Sequence, residues 1–304
     1  MNIFYYRLYG LSIASEVECP VLPPITSPEE IDVEIRYGKV IDVNLKEKEI
    51  WGFHVENQKD ITLLIRGAGN FAISYGRKIV IEKAPEADES LVRIFLLGTA
   101  MGVLLHQRGF LPLHGNGIVH DGYCTAILGH SGMGKSTLAA AFRSRGYKLL
   151  SDDVCALKIR TEATPIVYPG IPRINLWHDS IEKVGADPKK MEQIHSGEEK
   201  FYLSIDAEYC TIPTPLKRIY VLSTHNEDGI ILEQLSLPNK FRLLKAQTYR
   251  SLILKKMEAT IPHFKMCANV VQHVQIARIR RPTNAFLLDE LADLVEDDMK
   301  KTPG

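Results

Sequence analysis

Thr125-Ala126-Ile127-Leu128-Gly129-His130-Ser131-Gly132-Met133-Gly134-Lys135-Ser136-Thr137-Leu138-Ala139-Ala140-Ala141-Phe142 reads as an apolar strand, a glycine loop and an alanine-rich helix. The order carries chemistry. Backbone N–H groups at a helix N-terminus converge on an anion, and a phosphate comes close to them only where no side chain blocks the approach. Gly129, Gly132 and Gly134 supply that freedom. Lys135 stands where an ammonium reaches β- and γ-phosphates, and Ser136 where a hydroxyl ligates Mg²⁺. Residues Gly129 to Thr137, with His130, Ser131 and Met133 among them, are therefore the expected cradle of a P-loop for ATP and Mg²⁺. A glycine-rich turn that binds nothing is the plain alternative, and the strand before and helix after the loop argue against it.

Working downstream, the strand Tyr147 to Ser151 ends in Asp152-Asp153. One of the two carboxylates could hold Mg²⁺ and the other could accept a proton from an attacking hydroxyl, whereas adjacent aspartates elsewhere often only cap a turn. Upstream, His114 lies in Leu113-His114-Gly115-Asn116-Gly117, and a lone histidine is more often structural than catalytic. Arg173 and Lys200 are downstream cations that could meet substrate or γ-phosphate oxygens, with solvated surface charge as the alternative. Arg278-Ile279-Arg280-Arg281 alternates like a strand and reads as a solvated edge; without interleaved aromatics it does not suggest nucleic acid. Trp51 and Trp177 read as packing residues.

The rest of the chain frames this core. Between Ile31 and Lys83 apolar residues recur at period two, as in Ile61, Leu63, Ile65 and Phe71, Ile73, Tyr75, with turns at Gly67 to Asn70 and Gly76-Arg77. The expectation is an antiparallel β-rich N-terminal domain over residues 1–85 and an α/β nucleotide-binding domain over 86–304. Asp88 can cap the helix that follows, and Ile94 to Leu105 reads as a buried helix, a dozen residues interrupted by Gly98, Thr99 and Gly102 and short of the ~20 that span a bilayer. Gly185 to Lys200 reads as a mobile loop, and a late helix is expected over Thr283 to Met299, with Phe286, Leu287, Leu291, Leu294 and Val295 on one face.

Composition excludes more than it selects. Lys plus Arg and Asp plus Glu are 37 each, so no global field draws the chain to nucleic acid or to an anionic membrane. Five scattered cysteines without a C-x-x-C pair argue against a disulfide framework or a zinc site, and fit a reducing cytoplasm. The start, Met1-Asn2-Ile3-Phe4-Tyr5-Tyr6-Arg7, lacks the pattern of a signal peptide, so a cytoplasmic location is expected.

His114-Gly115, the Gly129 to Ser136 loop and Asp152-Asp153 together resemble the catalytic domain of HPr kinase/phosphorylase. In that family a His-Gly precedes the first loop glycine by fifteen positions and a paired aspartate begins seventeen beyond the loop lysine, as His114 to Gly129 and Lys135 to Asp152 do here. The resemblance implies a serine kinase using ATP and Mg²⁺, with Asp152 as general base, His114 tuning its charge and Asp153 assisting metal and phosphate positioning. It also implies a homo-oligomer. The family's acidic-arginine-glycine motif is replaced by Tyr168-Pro169-Gly170-Ile171-Pro172-Arg173, so reverse phosphorolysis is not expected. The layout, with Tyr6-Arg7-Leu8-Tyr9-Gly10-Leu11 at the start and Pro169 to Trp177 after the core, looks like the HPr-kinase-like proteins of lasso-peptide biosynthesis. There the implied partner is a precursor peptide with a C-terminal serine. HPr(Ser) kinase of carbohydrate regulation, a small-molecule kinase and a non-catalytic nucleotide sensor are the alternatives.

Overall fold

The computed structural model describes residues 2–40, 50–159, 164–184, 191–193, 200–205, 208–285 and 287–301. The chain is mixed α/β and divides into two compact units, Met1–Pro112 with Tyr249–Lys265, and Leu113–Thr248 with Met266–Gly304. The division falls after Pro112 rather than Pro85. The apolar helix after Pro85 buries its faces within the first unit, as does the later excursion Tyr249–Lys265, whose return no local pattern announces.

The first unit is built on a seven-stranded sheet of β1 (Phe4–Leu8), β2 (Leu11–Ser15), β3 (Val33–Tyr37), β4 (Trp51–Asn57), β5 (Asp60–Ile65), β6 (Gly69–Ser74) and β7 (Lys78–Lys83), ordered β1-β2-β3-β7-β6-β5-β4. The period-two residues Ile61, Leu63, Ile65, Phe71 and Ile73 are buried as alternation requires, while Tyr75 sits in a turn at φ 55° and is exposed. The sheet is not wholly antiparallel: β3 pairs parallel with both β2 and β7. The long connection from Ser15 to Val33 lets β3 enter beside strands that are not its hairpin partners.

Asp88 caps α1 (Glu89–Phe95) by accepting from the Ser90 N–H, and a π-helical turn, Leu96–Ala100, leads into α2 (Met101–Gln107). Gly98 and Gly102 are needed because a Cβ on either would press into the Tyr249 ring or its hydroxyl. The continuous helix Glu89–Gln107 is longer than its apolar centre suggested. By length and composition it could cross a membrane, with mean hydropathy 1.4 over its 18-residue window, and 61% of that window is buried within the protein. Burial to this extent also describes a core helix.

The second unit contains β8 (Leu111–His120), β9 (Tyr123–Leu128), α3 (Lys135–Ser144), β10 (Lys148–Ser151), β11 (Val154–Lys158), β12 (Ile166–Tyr168), β13 (Arg173–Trp177), α4 (His178–Lys183), β14 (Glu192–Gln193), β15 (Lys200–Ser204), β16 (Thr214–His225), β17 (Ile231–Gln234) and α5 (Leu237–Ala246). After α6 (Leu252–Lys256), which belongs to the first unit, come α7 (Thr260–His273), β18 (Gln275–Pro282) and α8 (Leu288–Lys300). In the main sheet β9, β16 and β18 run parallel side by side, with β8 antiparallel to β9 and β17 antiparallel to β18. A smaller sheet is ordered β13-β15-β14.

Leu138, Phe142, Ile127, Leu222, Ile279, Leu291 and Val295 form the core that clamps α3 and α8 onto the main sheet. The late helix begins at Leu288, not Thr283, because Thr283 donates through both N–H and Oγ to the His225 carbonyl, which holds it extended beyond β18. Phe286 and most of Gly185 to Lys200, the segment expected to be mobile, lie outside the described residues.

Candidate phosphate-binding active site

The glycine loop leaves the carboxyl end of β9 and turns straight into α3, between strands that run parallel. That end of a parallel α/β sheet is where ligands bind, because helix N-termini gather there. Gly132 and Gly134 have φ of 81° and 91°, left-handed values that strain any residue with a Cβ, and a Cβ on Gly129 would meet the Leu222 carbonyl at 2.9 Å. Gly134 caps α3 with no side chain filling the position, so the helix N-terminus is left for something else to cap.

Lys135, only 7% exposed, is tied from two sides: Nζ lies 3.1 Å from the His130 carbonyl and 3.0 Å from His114 Nε2. An ammonium can only donate, so this contact makes Nε2 of His114 the acceptor and puts the imidazole proton on Nδ1. Nδ1 in turn lies 3.5 Å from Asp153 Oδ1. Lys135, His114 and Asp153 therefore lie in a row, the first two hydrogen-bonded and the last two at ion-pair distance. His114 is held at its own N–H by the Gln247 carbonyl. The neighbouring Gly115 is obligatory, since a Cβ there would sit 2.3 Å from the Ile127 carbonyl of the paired strand.

The two aspartates occupy different environments. Asp152 is 3% exposed and its carboxylate accepts three hydrogen bonds: Oδ1 accepts from Asn116 Nδ2 and, at 3.0 Å, from Ser136 Oγ, and Oδ2 accepts from the Asn175 N–H at 2.7 Å. Asp153, the next residue, lines the cleft with its side chain 41% exposed. Its backbone is held at φ 67° by a tight turn in which the Val154 N–H donates to the Asp152 carbonyl at 2.9 Å. A non-glycine residue at positive φ is costly, and such strain concentrates at functional sites.

Around them opens a cleft of about 680 Å³, with Ser131, Gly132, Gly134, Lys135, Ser136 and Thr137 from the loop and helix on one side. Facing these are residues not singled out as a site in the sequence. Asn175 is buried with Oδ1 unpartnered, and Trp177, expected to pack, is 44% exposed and lines the cleft. Arg281 was expected on a solvated edge. Instead β17 covers the far side of β18, Arg278 pairs with Glu233 at 2.7 Å, and Arg281 turns into the cleft against the carbonyls of Met133, Pro282 and Ala285. Burial lowers the pKa of its guanidinium, a sign of partial desolvation.

Not every expected residue joins this group. Gly129, His130 and Met133 shape the loop without lining the cleft. Arg173 stays outside it, with its guanidinium 5.4 Å over the Tyr202 ring. Lys200 pairs through its backbone with Trp177, and its side chain is outside the described residues.

Among the described residues no group of three or more His, Cys, Asp or Glu side chains is placed to hold a metal. The donors present, a serine hydroxyl against a carboxylate, suit a cation that keeps most of its ligands from water and bound phosphates, which is the habit of Mg²⁺.

No protein-family model matches the chain, and no curated protein matches it. Among solved structures, the Hpr(Ser) kinase/phosphatase from Coxiella burnetii is similar at 13% identity, over 62% of this chain and 95% of that one, with a TM-score of 0.32.

Proposed function

We propose that the chain is an ATP-dependent phosphotransferase that moves the γ-phosphoryl group to a serine hydroxyl of a peptide or small protein. The observation that carries this reading is the Lys135–His114–Asp153 row at the rim of a glycine loop whose helix N-terminus is uncapped. The loop N–H groups, Lys135 and Thr137 would hold the triphosphate, and Ser136 with Asp152 would hold Mg²⁺. Bound there, Mg·ATP would supply the transferable phosphoryl group and neutralise its charge.

The roles of the two aspartates are exchanged relative to the sequence expectation. Asp152 is buried and has three donors on its carboxylate, so it orients Ser136 and the metal side of the site. Asp153 faces the cleft and has room to accept the proton of an acceptor hydroxyl. His114, bonded to Lys135 through Nε2 and with Nδ1 3.5 Å from Asp153 Oδ1, would bias the charge of that carboxylate. Arg281 lines the cleft beside the loop, against the Met133 carbonyl, where a guanidinium would stabilise charge on the phosphoryl oxygens.

The acceptor rests on the motif and layout resemblance: the C-terminal serine of a lasso-peptide precursor, in a cytoplasmic protein that acts as a homo-oligomer. Intact-mass spectrometry after incubation with Mg·ATP and a peptide ending in serine tests it, with the HPr carrier protein in a parallel reaction. A gain of about 80 Da on the peptide alone is expected. A gain on the carrier alone overturns the peptide assignment, and no gain on either overturns both.

A further inference from the structure

A second cavity, of about 280 Å³, lies in the second unit and is lined by Arg218, Tyr220, Lys240, Gln275, Asp298 and Lys301 among others. It sits at the opposite end of the parallel strands from the glycine loop. In the β16–β18 register Arg218 pairs with Gln275, whereas Thr224 pairs with Arg281, which lines the cleft. Six residues of extended strand separate the two ends, about 20 Å.

The charge arrangement is unusual for an idle cavity. Arg218 is 4% exposed; Nη2 donates to the Lys301 carbonyl at 2.7 Å, and the buried Nε has no partner. Among the described residues no carboxylate lies within ion-pair distance of its guanidinium. Asp298, the acid in the cavity wall, is already engaged, accepting from the Tyr220 hydroxyl at 2.7 Å and facing Lys301 Nζ at 3.8 Å. Among the described residues, Arg218 and Lys240 are thus two cations with no ion-pair partner, in a cavity whose one carboxylate, Asp298, faces Lys301. A buried guanidinium with an empty donor and no counter-ion is costly unless a ligand completes it. Two uncompensated positive charges match a dianion, and the planar guanidinium suits tetrahedral oxyanions.

We propose that this cavity binds the phosphate group of a small metabolite, at a site separate from the glycine-loop cleft and independent of the function proposed for it. The Arg218 guanidinium and Lys240 Nζ are its donors. The test follows the arginine Nε–Hε signals of the ¹⁵N-labelled full chain during titration with inorganic phosphate, with Arg218→Lys identifying the relevant signal. A saturable shift of the Arg218 signal at millimolar phosphate is expected. Lys240→Gln, a half-buried position that leaves the fold intact, should weaken it about tenfold, and Lys135→Ala, in the other site, should leave it unchanged. An Arg218 signal that does not move up to tens of millimolar overturns the proposal. So does a shift that is abolished by Lys135→Ala and untouched by Lys240→Gln.

Discussion

Ser136 Oγ donates to Asp152 Oδ1 at 3.0 Å, which ties the first turn of α3 to the end of β10 through a carboxylate that also accepts from Asn116 and from the Asn175 N–H. Three elements and one loop converge on a single buried anion. Removing it strands every donor at once, and unpaired buried donors cost more than the bonds they formed. Asp152→Ala should therefore lower unfolding stability by roughly 3 kcal/mol, read from urea denaturation. A loss below about 1 kcal/mol would mean the carboxylate is not what joins these elements.

Asp153 supports a separate prediction, because its environment is different. At φ 67° asparagine is tolerated whereas alanine is not, so Asp153→Asn preserves the turn and removes only the carboxylate proposed as proton acceptor. Phosphoryl transfer should fall by about 10²–10⁴-fold. Nucleotide affinity should stay within about threefold. Unchanged turnover in this variant would return the base role to Asp152 or remove it from both.

The pH dependence of stability should carry a mark from His106 in the first unit. Burial lowers its pKa from 6.5 to about 4, and Nε2 donates to the Tyr249 carbonyl at 2.8 Å. Since the folded pKa lies below the unfolded one, the unfolded chain binds the extra proton first. The stability at stake is therefore present above pH 6.5 and lost as pH falls toward 4, by up to about 3 kcal/mol. His106→Gln should flatten that part of the stability profile. A profile unchanged by the substitution would show that another group titrates there.

What the sequence made legible, and what it hid, follows from range. The strand, loop and helix from Thr125 to Phe142 are specified by contiguous residues, and β9 and α3 lie where that reading puts them. The spacing brought His114, Lys135 and the Asp152-Asp153 pair into one expectation, but with His114 beside Asp152, whereas its ring lies 3.5 Å from Asp153. The difference in burial between Asp152 and Asp153 was not legible, because it depends on Asn116 and Asn175 arriving from β8 and β13. Arg281 was hidden for the same reason. Its position follows from parallel pairing of β16 with β18, more than fifty residues apart, and a covering strand, β17, turned an expected edge into an interior.

The most direct measurement is isothermal titration of Mg·ATP into the full chain, repeated with Lys135→Ala and Asp153→Asn. One site is expected, weakened at least about tenfold by Lys135→Ala and preserved by Asp153→Asn. Absence of binding, or binding indifferent to Lys135, would contradict it.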